Sequence, residues 1–153
     1  MKGENEMNVK KLEAENFEEI KALFRDVFTN EPWNDDWSND EQLAGYMLDL
    51  TGNRNSLSLG LYEENELVGV SLGSIMHWYL GDEYYIYELF IKRDRQQKGL
   101  GTVFLGEIES YVKDIGVNHI FLQTERDAPA YAFYKKNGFS KLEGHVSLVK
   151  MFD

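Results

Sequence analysis

The chain has 153 residues, and its 16 Lys plus Arg against 27 Asp plus Glu give a formal net charge of −11. That length is enough for one domain with a continuous core, and no repeat, low-complexity tract or Pro/Ser-rich linker divides residues 1–153, so a single domain is expected. The acidic balance repels phosphate backbones and anionic membranes, and zero cysteines exclude disulfides, thiolate-bound metals and a thiol nucleophile. The start, Met1 to Lys11, carries no apolar h-region, and no run approaches the about 18 apolar residues of a membrane span. The chain therefore reads as soluble and cytoplasmic, with no nucleic-acid or membrane partner.

Taken in chain order, Met7 to Leu12 reads as a short strand. Phe17, Ile20, Leu23, Phe24, Val27 and Phe28 recur at helical spacing until Pro32 stops the pattern. Ser38 or Asn39 can cap a second helix, whose apolar stripe is Leu43, Met47 and Leu50, ending in the Gly52 to Asn55 turn. Leu57 to Tyr62, Leu67 to Leu80 and Tyr84 to Lys92 are three strand-like runs joined by short turns, which predicts an antiparallel meander. From Leu100 the period is helical again, with Val103, Phe104, Ile108, Tyr111, Val112 and Ile115 on the expected apolar side and Gly116 as its stop. Val117 to Gln123 is strand-like, a helix follows Pro129 with Gly138 as its stop, and Phe139 to Phe152 is expected to return as one or two strands. This order predicts an α+β fold: a mixed, mostly antiparallel sheet flanked by helices, with one parallel pair where the helix after Gly101 crosses over.

Charge is unevenly placed. Residues 1–50 carry −8, whereas residues 93–101 carry +2 and form a short net basic stretch. Within it, Gln96-Gln97-Lys98-Gly99-Leu100-Gly101-Thr102 joins a strand to a strongly amphipathic helix. Two glycines let backbone approach a ligand closely, and the first helical N–H groups have no intrahelical acceptor, so the loop suits a diphosphate. The spacing fits neither a P-loop nor a dinucleotide fingerprint.

Leu89-Phe90-Ile91, then Gln96-x-x-Gly99-x-Gly101, then Ala130-x-x-Phe133-Tyr134-x-x-x-Gly138-Phe139 resembles, in order and separation, the GCN5-related N-acetyltransferase (GNAT) superfamily over about residues 66–140. The resemblance implies acetyl-CoA as cosubstrate, no metal, and a V-shaped cofactor cleft between two diverging strands. It implies that Gln96, Gln97, Lys98, Gly99, Leu100, Gly101 and Thr102 form the pyrophosphate loop. Leu89, Phe90 and Ile91 would align the acetyl and pantetheine groups, and Asp127, Ala130, Phe133 and Tyr134 would complete the cofactor side. Asp127 stands where many relatives carry Asn. A homodimer is a habit of the same family.

Acetyl transfer to an amine requires an uncharged nucleophile and a proton for the departing thiolate. The resemblance places Tyr134 as the acid. Glu88, the one carboxylate in the strand from Tyr84 to Ile91, matches the position from which relatives take the amine proton; its other reading is an outward-facing residue paired with Lys92 or Arg93. His77, His119 and His145 have no metal-ligand spacing, and His77 borders the acceptor side.

The connection Glu31-Pro32-Trp33-Asn34-Asp35-Asp36-Trp37 interleaves aromatics with carboxylates, a combination suited to a small organic cation. It also resembles the Glu-Pro-Trp region of aminoglycoside 6'-N-acetyltransferases. Glu31, Trp33, Asp35, Asp36, His77 and Glu88 are thus the expected acceptor residues, for an aminoglycoside or polyamine. The same stretch reads equally as a helix connection with Trp33 tucked into the core and the aspartates solvated. Two further functions stay open at this point: acetylation of protein or peptide amines, and a non-catalytic acyl-CoA-binding module.

Overall fold

Five runs of apolar residues pair into one sheet whose two faces are covered by different helices. The computed structural model describes residues 6–153 and comprises two units, one ending at Gln123 and the other spanning Thr124–Asp153. In the first unit, β1 (Met7–Lys11), β2 (Ser56–Glu63), β3 (Glu66–Trp78), β4 (Gly81–Ile91) and β5 (His119–Leu122) lie side by side in that order. The first three pairings are antiparallel, as short turns dictate, and β4–β5 is parallel, as the helical crossover dictates.

On one face sit α1 (Phe17–Phe28) and α2 (Asp40–Thr51). Ile20, Phe24, Val27 and Phe28 of α1 and Leu43, Met47 and Leu50 of α2 are buried against Val70, Leu72 and Phe90 of the sheet. Glu18 and Glu19 in the first turn of α1 complement its dipole, and Asn39 caps α2 by accepting the Gln42 N–H at 3.0 Å. On the other face lies α3 (Leu100–Asp114), whose Leu100, Phe104, Ile108 and Val112 pack on Leu57, Leu59, Leu61, Val68, Tyr84 and Ile86. Tyr84 is fully buried there, its hydroxyl hydrogen-bonded to Ser71 Oγ at 2.8 Å and donating to the Leu57 carbonyl at 3.0 Å, so its polar tip is satisfied.

The parallel pairing is short. It runs from Glu83–His119 to Ile86–Leu122, while β4 continues to Ile91. Beyond Ile86, β4 runs on without a strand partner on its β5 side among the described residues, because β5 ends at Leu122.

Two expectations fail. Val103 and Ile115 are 42% and 51% exposed, because the buried stripe of α3 follows every fourth residue from Leu100 and leaves both on its flank. Residues 139–152 do not return as strands. The second unit holds α4 (Pro129–Lys136) and then a stretch in which Val146, Leu148, Val149, Met151 and Phe152 are exposed. An alternating pattern becomes a strand only when a neighbouring edge takes its hydrogen bonds, and this unit contains no described strand to serve as one.

Candidate active site

The site begins with a register shift. From Gly69–Ile91 to Leu72–Glu88, β3 and β4 pair one to one, and the next pair is Gly73–Ile86, so Tyr87 is an extra residue in β4. Tyr84 and Ile86 lie on the α3 face, and strict alternation would send Glu88 after them. The bulge resets the parity: Leu89 and Ile91 take the α3 face, and Glu88 and Phe90 turn toward α1 and α2. Opposite the bulge stands Gly73, where a Cβ would lie 2.3 Å from the Tyr85 carbonyl oxygen and 2.6 Å from the Tyr84 ring. Only glycine admits this close approach.

Glu88 is half-buried and accepts a 2.8 Å hydrogen bond at Oε1 from the hydroxyl of Tyr46 on α2. Burial pushes its carboxyl up to about 7; the Tyr46 bond opposes this, and the negative charge of Asp35 adds to it. The Tyr46 hydroxyl is itself held well above its ordinary value, first by burial and then by the Glu88 charge, so it remains a donor. A carboxyl with a midpoint near neutrality can take up or release a proton at working pH.

The connection between α1 and α2 brings the charge of Asp35 to bear on this position. The Asp35 N–H donates to the Phe28 carbonyl at 2.8 Å, and its carboxylate is felt by Glu88. Asp36 is exposed and accepts from the Ser38 N–H at 3.0 Å; the hydrogen bonds of Ser38 hold it below the usual carboxylate range. Glu31 is exposed. Trp33 is packed against Phe28, ring centroids 5.6 Å apart, as part of the core's margin. Trp37 stacks on Tyr46 at 5.4 Å and 10°. His77 is exposed on β3, two residues past Ile75 and on the α3 face, the opposite side of the sheet from Glu88.

Three aromatic residues near Glu88 had escaped the sequence reading. Tyr46 falls in the α2 apolar stripe between Leu43 and Met47, where a hydroxyl entering a core needs a partner. Tyr87, 42% exposed, stacks on Tyr85 at 4.2 Å and 15°, and Tyr85 meets Phe121 edge-on at 4.8 Å. By alternation with Tyr84, Ile86, Ile120 and Leu122, Tyr85 and Phe121 lie on the same sheet face as Glu88.

At the end of β4 the chain turns into α3 through the basic loop. Gln97 and Gly99 both have positive φ, 60° and 80°, which turns the chain sharply from the end of β4 into α3. The Gln96 side chain is not free: its Nε2 donates to the Ile91 carbonyl at 2.9 Å and braces the loop. Gln97, Lys98, Gly99 and Thr102 are exposed, and Leu100 is buried under the helix start. The first helical hydrogen bond runs from Val103 N–H to the Gly99 carbonyl, leaving the earlier amides without an intrahelical acceptor. A groove of about 400 Å³ beside the loop is lined by Glu63, Arg95, Lys98 and Leu100. An added Cβ at Gly99 would meet nothing within 4 Å, so the loop surface is open to a ligand.

In the second unit, Asp127 is exposed, Ala130, Phe133 and Tyr134 are half-buried on α4, and the Tyr134 ring packs edge-on against Phe133 and Phe139, both at 5.3 Å. Among the described residues, no group of three or more His, Asp and Glu side chains is placed to hold a metal ion, and no helix is long and apolar enough to cross a membrane.

A basic loop with two positive-φ residues thus leads from a bulged strand into a helix. Residues 17–139 match the model of the acetyltransferase (GNAT) family, and the chain belongs to that family. It is an acyltransferase of the N-acetyltransferase class. Solved structures share the fold over nearly the whole chain. An aminoglycoside acetyltransferase from an uncultured soil metagenomic sample, in complex with sisomicin, is 18% identical with a TM-score of 0.71, covering 96% of this chain and 97% of that one. A possible acetyltransferase from Clostridium difficile 630 is 12% identical at 0.79, covering 96% and 99%. The aminoglycoside N-acetyltransferase AAC(6')-Iy, in complex with CoA, is 13% identical at 0.73, covering 98% of each. Among curated proteins no sequence matches.

Enzymes of this family use acetyl-CoA. The loop fits the group: the first amides of α3, which lack intrahelical acceptors, the exposed Lys98 side chain and the open space over Gly99 suit a diphosphate.

Proposed function

We propose that the chain transfers acetyl from acetyl-CoA to a primary amine of a small organic cation, an aminoglycoside or a polyamine, acting as one cytoplasmic acetyltransferase domain over residues 1–153. The observation that carries this reading is the half-buried Glu88 carboxyl, raised to about 7 and set by the β4 bulge beside the acidic connection that holds Asp35. An acceptor ammonium entering there meets the half-buried Glu88, with Asp35, Asp36 and Glu31 exposed around it and the Tyr85–Tyr87 stack as an aromatic wall. The sisomicin complex of one fold neighbour supports the same acceptor class.

In this mechanism acetyl-CoA supplies an acetyl thioester. Gln97, Lys98, Gly99, Gly101 and Thr102 hold its diphosphate, Gln96 braces that loop, and Leu89, Phe90 and Ile91 align the thioester beside β4. Asp127, Ala130 and Phe133 contribute the α4 side. Glu88 takes one proton from the acceptor ammonium, and the freed lone pair attacks the thioester carbonyl. As the carbon–sulfur bond breaks, the Tyr134 hydroxyl gives a proton to the departing sulfur and is reprotonated through solvent by the second proton that the acylated nitrogen sheds. The products are the acetylated amine and CoA thiol, and the one net proton leaves from Glu88 to water. Trp33, packed on Phe28, shapes the entrance from behind, and His77 lies outside the acceptor set in this reading.

The test is thiol release from acetyl-CoA across aminoglycosides, polyamines and lysine peptides, which the cysteine-free protein permits without background. Saturable release with one of the small cations is expected. Release with peptides alone would overturn the proposed acceptor class, and acetyl-CoA binding with no release from any amine would overturn the proposed transfer.

A further inference from the structure

Tyr46 comes from α2, far along the chain from β4, yet its hydroxyl is the hydrogen-bond donor that reaches Glu88 Oε1, at 2.8 Å. Its ring is clamped on two sides. Trp37 stacks on it at 5.4 Å and 10°, and Phe24 meets it edge-on at 5.9 Å. Phe24 also packs edge-on against Phe90, two residues beyond Glu88, at 5.6 Å. The same rings that fix Tyr46 therefore bear on the strand that carries its acceptor.

Trp37 is held in turn by its carbonyl, which accepts from Arg25 Nη2 at 3.2 Å while that guanidinium pairs with Asp40 at 3.0 Å. Its indole N–H is buried without a hydrogen-bond partner among the described residues. A buried unpaired donor costs free energy, so Trp37 occupies this place for the stack it makes and not for a bond of its own.

We propose that Tyr46 is the positioning residue of the proton-accepting carboxylate: it fixes Glu88 through Oε1 and leaves Oε2 to take the proton of the acceptor amine. This rests on the reading of Glu88 as the base. Around Glu88, Tyr46 of α2 donates its hydroxyl, Asp35 of the connection acts by charge, Leu72 of β3 is the register partner, and Tyr87 precedes it on β4. Asp35 raises the carboxyl and the Tyr46 hydrogen bond lowers it, so removing the hydroxyl leaves both remaining influences, burial and Asp35, pushing upward.

Tyr46→Phe keeps the ring and its stack and deletes only the donor. The Glu88 carboxyl is titrated by carbon-13 NMR in the protein without acetyl-CoA, its resonance assigned as the one missing in Glu88→Gln. The expected result is an upward displacement of the midpoint by about one pH unit in Tyr46→Phe. The acidic limb of the kcat/KM profile moves with it, kcat falls about tenfold, and the KM for acetyl-CoA is unchanged. An unmoved or lowered midpoint overturns the proposal, as does a moved midpoint with unaltered kcat and pH profile. The reading of Glu88 as base fails separately: Glu88→Gln would then retain both the wild-type rate and the wild-type pH profile.

Discussion

Glu88→Gln removes a charge while keeping shape, and Tyr46 can still donate to the amide oxygen. The native carboxyl titrates near 7 and an unfolded one near 4.5, so the folded chain binds this proton more tightly than the unfolded chain. Its contribution to stability is therefore complete below about pH 4.5 and is lost as the pH rises through 7. Each unit of displacement is worth about 1.4 kcal/mol, which sets a ceiling of about 3 kcal/mol; water reaching a half-buried carboxyl reduces this to about 2 kcal/mol. Gln, which never ionises, does not suffer the loss. Thermal unfolding of both proteins from pH 4 to 8.5 should give equal midpoints at the acid end and a gap favouring Glu88→Gln by about 4–8 °C at pH 8. A gap independent of pH, or a variant less stable than wild type at pH 8, would refute the burial on which the reasoning depends. In the same variant kcat/KM should fall at least about 100-fold, and the residual rate should show no titration near pH 7.

Gly73→Ala should destabilise the fold by about 1–3 kcal/mol, read by denaturant unfolding, because its Cβ strikes the Tyr85 carbonyl and the Tyr84 ring; turnover should fall with it as the bulge that aims Glu88 is displaced. Gly99→Ala meets no neighbour but forces a side chain into positive φ, at a cost of about 1 kcal/mol, so the protein should stay folded while the KM for acetyl-CoA rises about tenfold. Tyr134→Phe should lower kcat about 100-fold and leave acetyl-CoA binding, measured by calorimetry, near the wild-type value; unchanged turnover would remove Tyr134 from the proton transfer.

The fold was legible where local pattern and global pairing agree. The α1 stripe, the Asn39 cap, the three-strand meander and the parallel crossover all depend on spacing within a few residues of one another, and each formed as the spacing predicts. Helical periodicity placed α3 but overstated the width of its buried face, since Val103 and Ile115 sit on the flank of a stripe defined by Leu100, Phe104, Ile108 and Val112. The run from Phe139 to Phe152 carries a strand pattern without a strand, because pairing is a property of two segments and the pattern reports only one.

The site was legible in its loop and only half legible around Glu88. Gly99, Gly101 and Lys98 suggest an anion loop because they fall between a strand and a helix, whereas the side of the sheet on which Glu88 emerges turns on one extra residue. Counting from Tyr84 by twos puts Glu88 among the core side chains of the α3 face; the shift at Tyr87 puts it opposite, under Tyr46 and near Asp35. The sequence does hold the cause, in Gly73, but a glycine within a strand signals a close approach without saying which partner strand will bulge. That parity change is what joins a carboxyl in β4 to a hydroxyl in α2 and an acidic connection between two helices. A variant that restores regular alternation should thus lose the elevated Glu88 midpoint even if every side chain named here is retained.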